Sequence, residues 1–173
     1  MKFSIRLMFF WIAVFLAFYF GILLVTAVLW GVPIQFWQMV LVFLIAGVLP
    51  PALITAYFYR RLDYMESEDL EPPKFKGVKK ATLNFKKRTK QPAFDEVMLR
   101  IDRQWIISFS DRENRVLKFR TDTRMMAWGI GGYVKMTDDT TVQVVLYPMN
   151  SNSRREEKMM MQTLRVMQSI LEP

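Results

Sequence analysis

Two long runs without a charged residue, Leu7 to Trp30 and Ile34 to Tyr59, dominate the pattern of this chain. Each exceeds the ~20 apolar residues that a helix, rising about 1.5 Å per residue, needs to cross a hydrocarbon core roughly 30 Å thick. Neither run carries the polar stripe at 3.6-residue spacing that marks a helix packed on a soluble core. Joined by Gly31-Val32-Pro33, they predict a transmembrane helical hairpin. The first run is also too long for the ~7–15-residue apolar region of a cleaved signal peptide, and a second span follows almost at once.

Beyond the hairpin the period changes. Ala81, Leu83 and Phe85 alternate with Thr82, Asn84 and Lys86, the period-two pattern of a half-buried strand. Phe94, Val97, Met98 and Ile101 then recur at helical spacing, with Pro92 before them and Asp95 and Glu96 in the first turn, so a short helix is expected over 93–103. Residues 105–110 and 116–121 read as two strands around a turn at Asp111–Asn114, and 133–136 and 141–147 as a second pair around Asp138-Asp139. Ser153 and Glu156 form a capping box ahead of a helix over 154–171, with Met160, Leu164, Met167 and Leu171 on one stripe.

Charge gives the hairpin its expected orientation. All 16 acidic residues follow the hairpin, and the net charge is +8. Lys2 and Arg6 stand before the first run and Arg60 and Arg61 directly after the second, with no charge at the turn, which places both termini on the cytoplasmic side, here of a bacterial inner membrane. Trp30 and Trp37 suit the far interface and Tyr57 and Tyr59 the near one. An acidic stretch, Asp63 to Glu71, ends at Pro72-Pro73 and gives way to eight cations with no acid among them: Lys74, Lys76, Lys79, Lys80, Lys86, Lys87, Arg88 and Lys90. Near an anionic leaflet such residues contribute about 1 kcal/mol each, so this polybasic segment is the candidate lipid contact. The competing reading is a solvated positive-inside stretch without a partner.

The chain has neither cysteine nor histidine, which counts against disulfides, thiolate chemistry, a catalytic triad, and a zinc or haem site built from this chain alone. No cofactor or metal site is expected. Gly129, Gly131 and Gly132 form the one glycine cluster. It lacks the Gly-Lys-Ser/Thr ending of a phosphate loop, so a sheet bend is the first reading and ligand approach beside Trp128 the second. The carboxylate pairs Asp95/Glu96, Asp111/Glu113, Asp138/Asp139 and Glu156/Glu157 all fall at expected helix starts or turns, where acids cap and solvate. Arg115, Lys118 and Arg120, taken as exposed on one strand, raise nucleic acid as a partner. The absence of a recognition signature and the membrane tether argue against it. Met159 and Met161 cannot both face the core with Met160, so one of them is a candidate partner contact.

Within the hairpin, Ala13, Ala17 and Gly21 recur every fourth residue, and small residues at that spacing admit another helix at close range. The second run is the first candidate for that neighbour, another membrane protein the second. Pro50-Pro51 should break the hydrogen-bond ladder of the second run.

The element order over 78–172 is similar to small helix-grip domains, in which a curved antiparallel sheet wraps a long C-terminal helix around an apolar cavity. It also resembles membrane-anchored bacterial domains of pleckstrin-homology type. The helix at 93–103 suits the former better, and both likenesses rest on element order alone. The expected architecture is thus a membrane-anchored α+β protein. A two-helix transmembrane hairpin occupies 1–61 and an acidic-then-basic linker 62–77. A cytoplasmic domain over 78–173 then packs an antiparallel sheet of about five strands with a short helix and a long C-terminal helix. Its expected role is non-enzymatic: a binding or assembly module touching anionic lipid and a protein partner or apolar small molecule. An accessory subunit of a larger membrane complex is the main alternative, with a lipid-headgroup enzyme third.

Overall fold

Two helical runs precede the sheet. The computed structural model describes residues 3–31, 35–121, 129–149 and 154–172, and the chain divides into two compact units, Met1–Arg60 and Arg61–Pro173. In the first, α1 (Phe3–Trp30) is followed by α2 (Phe36–Val42), a π-helical segment (Phe43–Val48) and α3 (Leu49–Glu66), the last three forming one continuous run. Pro50 and Pro51 supply no N–H for the carbonyls four residues back, at Ala46 and Gly47. The ladder widens ahead of them, so that Leu49 N–H donates to Leu44 O, five residues back. α1 meets the second run mainly at this π-helical segment, and Tyr19 Oη–H donates to Met39 O at 2.9 Å. Stretches Ile5–Trp30 and Phe36–Tyr57 are long and apolar enough to cross a membrane.

The second unit is built on one five-stranded antiparallel sheet. In chain order its elements are β1 (Lys79–Asn84), α4 (Ala93–Asp102), β2 (Ile106–Asp111), β3 (Val116–Arg120), β4 (Ile130–Met136), β5 (Thr141–Pro148) and α5 (Arg154–Leu171). Strands β2 to β5 form a meander, and β1 pairs with β5, giving the order β1-β5-β4-β3-β2. The α4 crossover carries the chain from one edge to the other. One face of the sheet, formed by Leu83, Leu117, Phe119, Ile130, Val134, Met136, Val142, Val144 and Leu146, packs on Phe94, Val97 and Ile101 of α4 and Met160, Met167 and Leu171 of α5. The strand–helix–four strands–helix order expected from the alternation is present. β1 starts two residues earlier than the pattern implies, and β4 three residues earlier, through the glycines.

The opposite face is covered by a segment the sequence reads as a linker. α3 does not stop at the charged residues after Tyr59: it runs on to Glu66, with Leu62, Tyr64 and Met65 buried. Leu70, Pro73 and Phe75 follow over the same face. Tyr133 Oη–H donates to Leu70 O at 2.8 Å, and the Phe75 ring lies 5.3 Å from Tyr147. The second unit is therefore three-layered, with α4 and α5 on one face of the sheet and residues 61–76 on the other. The acids in 63–71 mask the pattern because the buried Leu62, Tyr64 and Met65 stand among five carboxylates.

Candidate functional site

The covering segment is held by Lys118, which the alternation of charges suggested was exposed. It is fully buried. The reason lies in register: Lys118 stands between the inward-facing Leu117 and Phe119, so it points to the outer face, and that face is where α3 lies. Its Nζ donates to Tyr64 O (2.9 Å), Ser67 O (2.9 Å) and Ser67 Oγ (3.1 Å), and sits 4.0 Å from the centroid of the Tyr64 ring and 5.2 Å from that of Phe109. Tyr64 O and Ser67 O belong to the carbonyls a helix leaves unpaired at its C-terminus, and α3 has no basic residue in its own last turn. A cation from β3, far away in sequence, supplies the cap. Arg61 completes the attachment by donating to Pro148 O, Ser108 Oγ–H by donating to Met65 O at 2.8 Å, and Tyr64 Oη–H by donating to Glu71 O at 2.6 Å.

Burial pushes the Lys118 amine down to about 8, with the Asp69 carboxylate partly opposing. A lysine of lowered pKa beside a serine resembles in composition a nucleophile–base pair. The hydrogen bonds say otherwise. Three acceptors take the three ammonium protons, and Ser67 Oγ–H is itself spent on Tyr64 O at 2.9 Å, so no nitrogen lone pair is aimed at the hydroxyl. Lys118 is a structural clamp.

The polybasic stretch is not one surface. Lys79 pairs in register with Leu146 and Asn84 with Thr141, so β1 carries the chain from one end of the sheet to the other. Lys74, Lys76, Lys79 and Lys80 precede or open β1, at the end where Arg61 meets Pro148. Lys86, Lys87, Arg88 and Lys90 follow it, at the opposite end. In the first group Lys74 bonds Glu71 at 2.7 Å and Lys79 bonds Glu157 at 2.9 Å, both exposed pairs of small worth. The second group is an exposed loop framed from below by Glu96. This buried carboxylate accepts from Thr89 Oγ1 (2.8 Å), Thr89 N–H (3.0 Å), Arg88 N–H (3.1 Å) and the Arg100 guanidinium. Burial raises its pKa, but those bonds outweigh burial and bring it down to about 2. The sequence places Glu96 in a helix first turn, where it is, but gives no sign that it points inward under the loop.

The other singled-out residues mostly serve the fold. A Cβ on Gly131 would lie 2.2 Å from Tyr147 Cζ, and one on Gly132 2.0 Å from Phe119 Cε1. These aromatics are the directly paired cross-strand neighbours, so both glycines are needed for ring packing and the space above them is taken. Gly129 is buried, its carbonyl accepting from Met149 N–H. Trp128, the expected wall of a ligand site there, and Ser153 of the capping box lie outside the described residues. Met159 packs against the core, which leaves Met161, 40% exposed, as the outward methionine. Among the carboxylate pairs, Asp111 and Asp138 accept backbone N–H groups of their own turns, Asp95 bonds Arg112 at 3.1 Å, and Glu156 is buried. Arg115 bonds Asp139 at 2.8 Å, which, with Lys118 buried, dissolves the basic stripe expected on β3. Among the described residues no group of three acidic side chains converges as metal ligands.

On α1 the small-residue face is left open among the described residues. Ala13, Ala17 and Gly21 are exposed, with no atom within 4 Å of a Cβ built on Gly21, so the expectation that they pack on the second run is corrected. Ala17, Gly21, Val25 and Trp30 instead line an apolar groove of about 530 Å³. The second run meets α1 mainly at the π-helical segment, whose Gly47 is buried against the Phe43 ring of the same run. No protein-family model and no curated protein matches the chain.

Proposed function

We propose that the chain is an integral membrane protein in which the two apolar helices form a transmembrane hairpin and the Arg61–Pro173 unit is a non-enzymatic binding module on the cytoplasmic side. Supporting the anchor are two helices of spanning length with apolar side chains exposed along them. The observation that carries the functional reading is the Lys118 clamp. It makes the last residues of α3, Arg61–Glu66, part of the module.

Anionic lipid is the first ligand of this reading. Lys74, Lys76, Lys79 and Lys80 share the sheet end where Arg61 enters the unit, and exposed lysine pairs with carboxylates exchange readily for lipid phosphate. A fragment beginning at Arg60 is expected to sediment with vesicles containing phosphatidylserine and not with phosphatidylcholine alone. Changing Lys74, Lys76, Lys79 and Lys80 to Glu should weaken that binding by roughly tenfold or more, and changing Lys86, Lys87 and Lys90 to Glu should weaken it less. Equal binding by wild type and the first variant removes the lipid contact.

The exposed Ala13/Ala17/Gly21 face favours a second reading, an accessory subunit that packs this face on a partner span. Ala17→Phe in the full chain is expected to abolish co-purification with such a partner from intact membranes while leaving vesicle binding by the Arg60 fragment unchanged. Intact assembly in the variant would remove this reading.

A further inference from the structure

The two edges of the sheet are treated differently. At β1 the free side is blunted: Lys79 and Lys80 open the strand, Asn84 N–H donates to Glu172 Oε1 at 2.7 Å, and Lys86 N–H just beyond it donates to Leu171 O at 3.1 Å. Lysines and covering chain are ordinary protections of an edge against strand addition. β2 contains no lysine, arginine or proline, and among the described residues its strand pairing is with β3 alone, the Ser108 Oγ–H bond to Met65 O being a side-chain contact.

Beside β2 lies a groove of about 650 Å³, lined by Glu68, Leu70, Met98, Phe109, Ser110, Asp111 and Arg112. It wraps the edge from both faces of the sheet, with Met98 of α4 on one side and Glu68 and Leu70 of the covering segment on the other. A bulge between Ile107 and Phe109 sets where the groove begins: past it, Phe109, Ser110 and Asp111 pair regularly with Lys118, Leu117 and Val116. Phe109 faces outward, since Lys118 Nζ stands over its ring, and Ser110 therefore faces the α4 side. Glu68 and Asp111 contribute two carboxylates. The cation of Arg112 is engaged by Asp95 at 3.1 Å, so the groove is left with negative charge on its outer side.

We propose that this groove is a peptide-docking site, in which an extended segment of a partner protein adds to the sheet along Phe109–Asp111. Backbone hydrogen bonds to the β2 edge give the affinity. Alternate side chains of the segment divide between the two walls: apolar ones turn toward Met98, and basic ones turn outward, laying their stems on Phe109 and Leu70 and their charge near Glu68 and Asp111. The inference deepens the binding-module reading and rests on it, naming the chemistry of the protein partner.

The test uses the full chain in phosphatidylcholine nanodiscs, where a basic peptide finds no anionic lipid, and three fluorescein-labelled, acetylated and amidated pentapeptides read by anisotropy. Lys-Val-Lys-Val-Lys should bind at least tenfold more tightly than Glu-Val-Glu-Val-Glu, which has the wrong charge. It should also exceed Lys-Pro-Lys-Pro-Lys, which keeps the charge but lacks backbone donors at its prolines, by a similar factor. Glu68→Lys, a change at an exposed position, should lower the affinity for Lys-Val-Lys-Val-Lys about tenfold. Equal binding of the lysine–proline peptide overturns strand addition. Equal binding of the glutamate peptide, no effect of Glu68→Lys, or no binding of any peptide overturns the site. None of these results touches the vesicle assay, so failure of the groove and failure of the lipid contact are told apart.

Discussion

A fragment that begins at Lys74 will not fold, whereas one that begins at Arg60 will give a cooperative unfolding transition. The difference is the segment that covers the outer face of the sheet. Removing it takes away Leu62, Tyr64 and Met65, all buried, and side chains of this size contribute about 1.5–3 kcal/mol each when fully buried. Roughly 5–9 kcal/mol is thereby lost from a domain whose whole stability is expected to be about 5–15 kcal/mol. The same cut uncovers Tyr133, Tyr147 and Lys118, and strips Lys118 Nζ of the Tyr64 and Ser67 oxygens that receive its protons. Circular dichroism and urea unfolding of the two fragments settle the matter. A Lys74 fragment as stable as the Arg60 fragment would mean that the covering segment is only laid on the sheet and not part of its core.

Alkaline pH should stabilise the domain between about 8 and 10. In the folded state the Lys118 pKa is lowered to about 8, whereas in the unfolded chain it returns to about 10.5. Between these values the unfolded state binds the proton that the native state has released, so unfolding becomes less favourable as pH rises. The gain expected from this group is roughly 2 kcal/mol between pH 8 and 10. The neutral amine still has two protons for the carbonyls of Tyr64 and Ser67, which is why losing the charge does not open the clamp. The groups around it push the other way at higher pH. Burial raises the Tyr64, Tyr133 and Tyr147 phenols above 10. Asp69 adds to this at Tyr64 and Tyr133, and Arg61 partly offsets it at Tyr147. These phenols keep their protons in the native state while the unfolded chain loses them, so above pH 10 stability falls again. Urea unfolding of the Arg60 fragment from pH 7 to 11 should therefore show a maximum near pH 10. Lys118→Met should remove the rise below it and leave the fall above it. A flat profile from 8 to 10 in the wild type would show that the buried amine has an ordinary pKa, and with it an open path to water.

Much of the Arg61–Pro173 unit was legible residue by residue. The period-two runs at Ala81–Phe85 and Thr141–Tyr147 and the helical stripe Phe94–Ile101 mark side chains that face one apolar layer, and a single buried face is the condition under which periodicity is visible. α5 was legible to the residue, from Arg154 to Leu171, because its Met160–Met167–Leu171 stripe is long and its outer face densely polar. The outer face of the sheet was not. Lys118 reads as solvent-facing, and nothing local shows that a segment carrying five acids will settle over it and over Tyr133 and Tyr147. Glu96 was hidden for the same reason: a carboxylate in a helix first turn looks the same in sequence whether it meets water or the underside of a loop. The free β2 edge and its groove had no signal at all, since edge and centre are assigned by pairing, and pairing is non-local.

The sequence by itself determined two helices of membrane-spanning length, the order strand, helix, four strands, helix, and the core-facing stripes of β1, α4 and α5, because each follows from the spacing of apolar side chains along a regular backbone. It also placed the change in the second run at Pro50-Pro51, where two N–H groups are missing. Only the tertiary structure decided that the polybasic stretch falls into two groups at opposite ends of the sheet, that the small-residue face of α1 is open, and that Lys118 is a buried clamp on α3. Those facts depend on which element lies over which face. That is settled by the competition for buried surface and hydrogen-bond partners among segments far apart in the chain, and no single segment carries a record of its outcome.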